Sequence, residues 1–192
     1  MAPTGRTITT SGCDATGRTR RGAAGAREAA LTRDLRFVAA DRGGRLDLSS
    51  HRLLAVWAAE CAEHAQPLFD AACPHDDRPR LGVEAARAWS HGEVSAGDAR
   101  AAAVAAHAAA REAPANGPRE AARAAGHAAA TAHMAGHSLA AALYAVRAVV
   151  RAAPPGEVAA AGAREERWQT ERLPEAIRDL VVSARSQQPA FR

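Results

Sequence analysis

The chain is 192 residues long, carries a formal net charge of +4 and has a mean hydropathy of −0.26. That length buries a core without disulfides or a structural metal. Ala fills 54 positions, all 25 basic residues are Arg, and aromatics make up 4 %; with strand formers this scarce, a β-rich fold is excluded and an all-α bundle of about six or seven helices is expected.

Residues 1–28 hold +3 of the net charge. They are rich in Gly, Thr, Ser and Arg, cannot offset their ordering entropy by burial, and read as a disordered tail or as sequence upstream of the true start Met. A single domain is expected over 29–186, with 187–192 frayed. Ala29 to Ala40 reads as a short helix with Leu31, Leu35 and Val38 in phase. Asp41-Arg42-Gly43-Gly44 breaks it, and Leu46-Asp47-Leu48 alternates like a short extended segment.

From Ser49 the signals sharpen. Ser49 or Ser50 can cap a helix whose buried face carries Leu53 or Leu54, Trp57, Cys61, His64 and Leu68. Pro67 inside that pattern predicts a kink near residue 66, and residues 70–75 read as a turn. Asp77 followed by Arg78-Pro79-Arg80 is a helix start, because the first turn has no donor to lose. That helix ends at His91-Gly92. Later helices are expected from Val94 or Ser95 to Ala113, from Arg119 to Met134, from His137 to Ala152, and from Glu157 to Thr170. A last short one has Ile177, Leu180, Val181 and Ala184 inward. Gly136 marks either a break or the middle of one long helix. Ala-rich faces let helix axes approach closely, which leaves Trp57, Phe69, Trp89, Tyr144 and Trp168 as expected core anchors.

Three cysteines, Cys13, Cys61 and Cys73, make no disulfide framework and fit a reducing compartment. No apolar run reaches a membrane span of about 18 residues, and the longest, 139–150, contains Arg147. Arg20-Arg21 is followed by Arg27, Glu28 and Arg33 rather than by an apolar core, so a cytoplasmic protein is expected. No phosphate loop, dinucleotide-binding glycine pattern or nucleophile elbow is present, and no catalytic residue is assigned.

His133 and His137, at i and i+4, have the spacing of a two-histidine metal site on a helix. The general-base Glu of a zinc protease is absent, since Met134 follows the first His. On one continuous helix His127 lies more than two turns from His137. Joined by His107, these rings form a metal centre only if the helices converge; otherwise they hydrogen-bond between helices. Cys61-Ala-Glu-His64 with Cys73-Pro-His75 matches no tight zinc module, and Cys61 lies on the apolar stripe. Neither cofactor nor metal is therefore expected. The acids Glu60, Glu63, Asp70, Asp76 and Asp77, with Arg78 and Arg80, are candidate partner contacts, although Asp77 also has a capping role to fill. Only residues 100–155 lean basic, with six Arg against Glu112 and Glu120, so nucleic acid is an unlikely ligand and ranks third.

Several blocks resemble a family of small all-α bacterial proteins, the putative immunity proteins common in actinobacteria. They are Leu53-Leu54-Ala55-Val56-Trp57-Ala58-Ala59-Glu60-Cys61-Ala62-Glu63-His64 with Pro67-Leu68-Phe69, Asp76-Asp77-Arg78-Pro79-Arg80, and Ala85-Ala86-Arg87-Ala88-Trp89. Further along come Ala106-His107-Ala108-Ala109-Ala110-Arg111, Ala124-Ala125-Gly126-His127-Ala128, Ala132-His133-Met134 with His137, and Trp168-Gln169 with Leu173-Pro174. The resemblance covers residues 50–185. It implies a non-enzymatic protein of a polymorphic-toxin system that binds and neutralises a toxin. Against a basic toxin the acids above would make the contact; against an acidic one, Arg100, Arg111, Arg123 and Arg147 would. A metal-binding helical protein or metal-dependent enzyme using His107, His127, His133 and His137 is the alternative.

Overall fold

The computed structural model describes residues 34–187. The tail expected over 1–28, the start of the helix expected over 29–40, and residues 188–192 lie outside the described residues.

In place of a helix reaching Ala40, the chain makes two single 3-10 turns, Leu35–Phe37 and Ala40–Arg42, on either side of extended Val38 and Ala39. The segment folds back so that Leu46 pairs with Ala39 in an isolated parallel bridge. Ala40 N donates to Leu46 O at 2.8 Å and Leu46 N to Val38 O at 3.0 Å. Helix continuation would forfeit these bonds and expose Phe37 and Leu46, which are both buried. The return needs glycine twice. Gly43 has φ 79°, and a Cβ on Gly44 would lie 1.8 Å from the Val38 carbonyl oxygen. The extended form read for Leu46 is therefore present, as one bridge.

Seven α-helices follow among the described residues: α1 Leu48–Ala72, α2 Arg78–His91, α3 Ala96–Glu112, α4 Pro118–Ala130, α5 His137–Ala152, α6 Val158–Glu171 and α7 Glu175–Gln187. The fold is an all-α bundle. α1 starts earlier than the serines suggest because Asp47 is its N-cap. One Asp47 carboxylate oxygen accepts from the Ser50 amide at 2.8 Å, and the carboxylate also accepts from the hydroxyls of Ser49 and Ser50. These donors hold the Asp47 carboxyl far below the usual range. We expect Asp47→Ala to lower the thermal midpoint by about 2–4 °C in a calorimetric scan; an unchanged midpoint would assign the cap elsewhere. α1 then runs through Pro67, which has no N–H to give the Glu63 carbonyl, and ends at Ala72.

At α2 the capping expectation is corrected. Asp77 sits at the N-cap position but is already in the αR region and makes no side-chain cap bond. Asp76 accepts from the Arg78 amide instead, at 3.1 Å. Gly92 closes α2 in the left-handed region, at φ 81°. Ser95 and Asp98 form a reciprocal capping box at α3. Residues 131–136 are turns, so α4 and α5 are two helices and not one.

The core explains the alanines. α4 packs against α1, α2, α3 and α5 at once, and its buried residues are Ala and Gly apart from Glu120. A helix enclosed by four others has room for methyl groups only. Glu120 closes its own capping box on the Gly117 amide and meets Arg151 at 3.3 Å. Gly82 of α2 faces the Ala125 carbonyl and the Ala106 methyl across that crowding. Large side chains gather where α1 meets α7 and its neighbours: Trp57, Phe69, Leu54, Ile177 and Val181 are fully buried. Trp89, Tyr144 and Trp168 are only half-buried, which corrects their expected role as anchors. Their rings sit at the rim, each against a histidine: Trp89 on His51, Tyr144 on His127 and Trp168 on His64.

Candidate functional site

Four histidines from three helices and one turn come together on the α3–α4–α5 side. His107 comes from α3, His127 from α4, His133 from the 131–136 turn and His137 from the first residue of α5. Ring centroids are 4.8 Å apart for His107 and His127, 5.2 Å for His127 and His137, and 5.2 Å for His133 and His137. Nδ1 of His127 lies 3.2 Å from Nδ1 of His137. His133 and His137 do not share a helical face, because the helix breaks between them. The same break turns the chain back and seats His137 beside His127, correcting the separation that a continuous helix implies. Gly126 makes the third approach possible: a Cβ there would lie 2.7 Å from Cε1 and Nδ1 of His107. Any side chain at 126 evicts the His107 ring.

Burial favours the neutral form of each imidazole. It pushes His127 down to about 3, helped by His107, His137 and Arg123. Burial also lowers His107, with Arg123 and Arg111 adding to it, and His137, with His133 and His107 adding to it. His133 is lowered by burial, then by Arg100 and Arg42. Every charged neighbour acting on the four is a cation. His133 Nδ1 is buried and has no hydrogen-bond partner among the described residues. As the rings stand, no three His, Cys, Asp or Glu side chains among the described residues surround one point.

Tyr144 of α5 continues the cluster outward. Its ring stacks on His127 at 5.2 Å and 9°. The guanidinium carbons of Arg123 and Arg147 lie 5.5 and 5.2 Å from the same ring, and Arg123 reaches the phenol oxygen at 3.4 Å. Arg111 and Arg100 lie exposed on α3. None of these four Arg has a carboxylate partner among the described residues. Tyr144 was not singled out as a contact in the sequence. Its signal was available, since Tyr144 and Arg147 share a helical face, as do Arg123 and His127.

The acidic candidates lie elsewhere and are mostly engaged. Arg78 bridges Asp76, at 2.7 Å, and Glu112. Arg80 meets Glu84 at 2.7 Å and Asp77 at 3.4 Å. Glu63 pairs with Arg87, and Asp70 accepts from Gln66 at 2.8 Å. The structure brings Glu60 and Glu63 together in a groove of about 450 Å³ with His64, Pro67, Arg87, Trp168 and Arg172. Trp168 is sandwiched there, 3.8 Å from the parallel His64 ring and 4.1 Å from the Arg172 guanidinium. His64 Nδ1 meets buried Glu165 at 2.7 Å. Trp168 and Arg172 also escaped the sequence reading, which counted Trp168 as core. Cys61 is fully buried, and burial pushes its thiol up. Cys73 is half-buried, and neither it nor His75 joins a three-residue metal-ligand group among the described residues.

No helix among the described residues is long and apolar enough to cross a membrane. No curated protein and no solved structure matches the chain. The sequence model of one family does match, over residues 44–176, and that stretch runs from the Gly44 turn through the first six helices to the start of α7. The chain belongs to the Imm-5 like putative immunity protein family.

Proposed function

We propose that this chain is an immunity protein that binds and neutralises a protein toxin of a polymorphic-toxin system in the cytoplasm, as a binding protein rather than an enzyme. The α3–α4–α5 face makes the contact. One observation carries the choice of face: Arg123 and Arg147 flank Tyr144, and they and the exposed Arg100 and Arg111 of α3 form no ion pair among the described residues, whereas most acidic candidates are already neutralised within the chain. Unpaired guanidiniums beside a rim aromatic are the chemistry of interface hot spots, and they fit an acidic toxin surface. Exposed ion pairs add little to stability, so the paired acids serve mainly to cancel charge.

The test pairs the chain with its cognate toxin, sought among the genes next to its own. Arg123→Glu with Arg147→Glu should weaken binding by about a hundredfold or more and abolish protection of a toxin-expressing host. Binding should also weaken as salt rises. Binding unchanged by the double variant would overturn the choice of face. A second reading rests on the sandwiched Trp168: beside it Glu60, and Glu63 if it exchanges Arg87 for a partner, offer carboxylates to a basic toxin. Glu60→Arg with Glu63→Arg distinguishes the two, because it abolishes binding only if the groove is the interface.

A further inference from the structure

We propose that His127, His137 and His107 form a binding site for one late first-row transition-metal ion, of the class of Zn2+, Co2+ or Ni2+. The spacing of the rings carries the proposal. Two nitrogens bound to one tetrahedral ion at about 2.0–2.1 Å stand about 3.3 Å apart, and the centroids of their imidazoles about 5 Å apart. Nδ1 of His127 and Nδ1 of His137 are separated by 3.2 Å, with ring centroids at 5.2 Å; one ring donates its N–H to the other, and a bound ion would take the place of that proton, which the donor ring releases by moving it to Nε2. His107 brings a third ring to 4.8 Å from His127. Its Nδ1 edge rests over Gly126, which leaves Nε2 as the nitrogen available to an ion. His107 is tilted by 75° to His127 and does not yet aim at the shared point. Closing the site requires the His107 ring to turn toward the His127–His137 pair.

The surroundings select the ion. The rings are held neutral, which is the ligating form. No carboxylate acts on them; the charged neighbours are Arg111 from α3, Arg123 from α4, His133 from the turn, and Arg42 and Arg100 beyond it. Such a site offers no net negative charge, so an ion must bind through coordinate bonds to nitrogen. Hard cations that live on oxygen ligands, Mg2+ and Ca2+, are rejected. Tyr144, stacked on His127, fixes the orientation of that ring in the way an outer partner does. The unpartnered Nδ1 of His133 lies beside His137 as a further nitrogen.

The experiment titrates the full chain, stripped with chelator, with Co2+ alone. One equivalent should produce the visible absorption of tetrahedral cobalt, reversed by Zn2+ and unaffected by Mg2+ or Ca2+. His127→Gln and His137→Gln should each weaken Co2+ binding by about tenfold or more, while His75→Gln and His91→Gln, at exposed positions outside the cluster, leave it within about twofold. Circular dichroism checks that the variants keep their helix content. Imidazole NMR of the unaltered chain keeps the test open should a variant unfold: Zn2+ should shift the ring signals of His107, His127 and His137. Absence of binding, equal binding by the cluster variants, or ring signals that do not move would each overturn the site. Because the measurement uses no toxin, it fails or succeeds separately from the immunity reading.

Discussion

Trp57→Ala should lose about 4–6 kcal/mol of unfolding free energy, a large share of the roughly 5–15 kcal/mol that keeps a domain folded. The ring is fully buried in the large core cluster, among Leu54, Phe69, Ile177 and Val181 and between helix backbones held together through alanines. Such surroundings cannot flow into the vacated volume, so the cavity term stays large. The indole Nε1 also donates to the Gln169 carbonyl at 2.9 Å, and the Arg185 guanidinium lies 5.0 Å from the ring. Truncation therefore also leaves a buried acceptor unsatisfied, at about 1–3 kcal/mol. Trp57→Phe separates the contributions by keeping most of the volume without the N–H. Val104→Ala, 60 % exposed on α3, is the control and should stay within about 0.5 kcal/mol. Urea midpoints measure all three. A loss below about 2 kcal/mol for Trp57→Ala would mean that the bundle closes around the gap.

Acid should destabilise the fold well before the carboxylates titrate. His127 in the unfolded chain takes a proton near 6.5, but in the folded chain only near 3. The unfolded state therefore binds more protons between those values, and stability falls as pH drops through that window. His127 alone accounts for about 2 kcal/mol between pH 7.5 and pH 5. His107, His133 and His137 add to the loss in the same direction, as does His51, which is lowered by burial despite its 2.7 Å bond to the Thr131 carbonyl. Urea unfolding at pH 7.5 and pH 5 should show the drop, and His127→Gln should flatten it. Equal stability of the native chain at both values would show that the rings are hydrated in the folded state.

Helix number and most boundaries were legible because this sequence punctuates heavily: Pro114 to Pro118, Pro154-Pro155-Gly156 and Gly92 all stop or start helices where the pattern says. Caps were less legible. Ser49 and Ser50 precede the apolar run, yet both donate to Asp47, because a carboxylate accepts several bonds where a hydroxyl accepts fewer. Asp77 lost its role because it had already entered helical geometry. The histidines were visible as residues but not as a cluster. A break at Gly136 can be suspected from sequence, whereas the direction in which α5 returns depends on how closely α4 is surrounded. Partner pairing was equally hidden. Glu63 and Arg87 lie 24 positions apart, and only the packing of α2 on α1 joins them. That same packing left the unpaired Arg of the other face as the remainder.

Alanine packing makes mutational tolerance one-sided. A methyl is the smallest side chain there is to remove, so truncations at Ala121, Ala125 or Ala128 can surrender little volume. Each added carbon must instead force apart two axes that are held by several neighbours. Divergence among chains built on this plan is thus pushed outward, onto the rim where the rings and guanidiniums sit. A scaffold that forbids change within and admits it at the rim suits the binding role proposed for this chain.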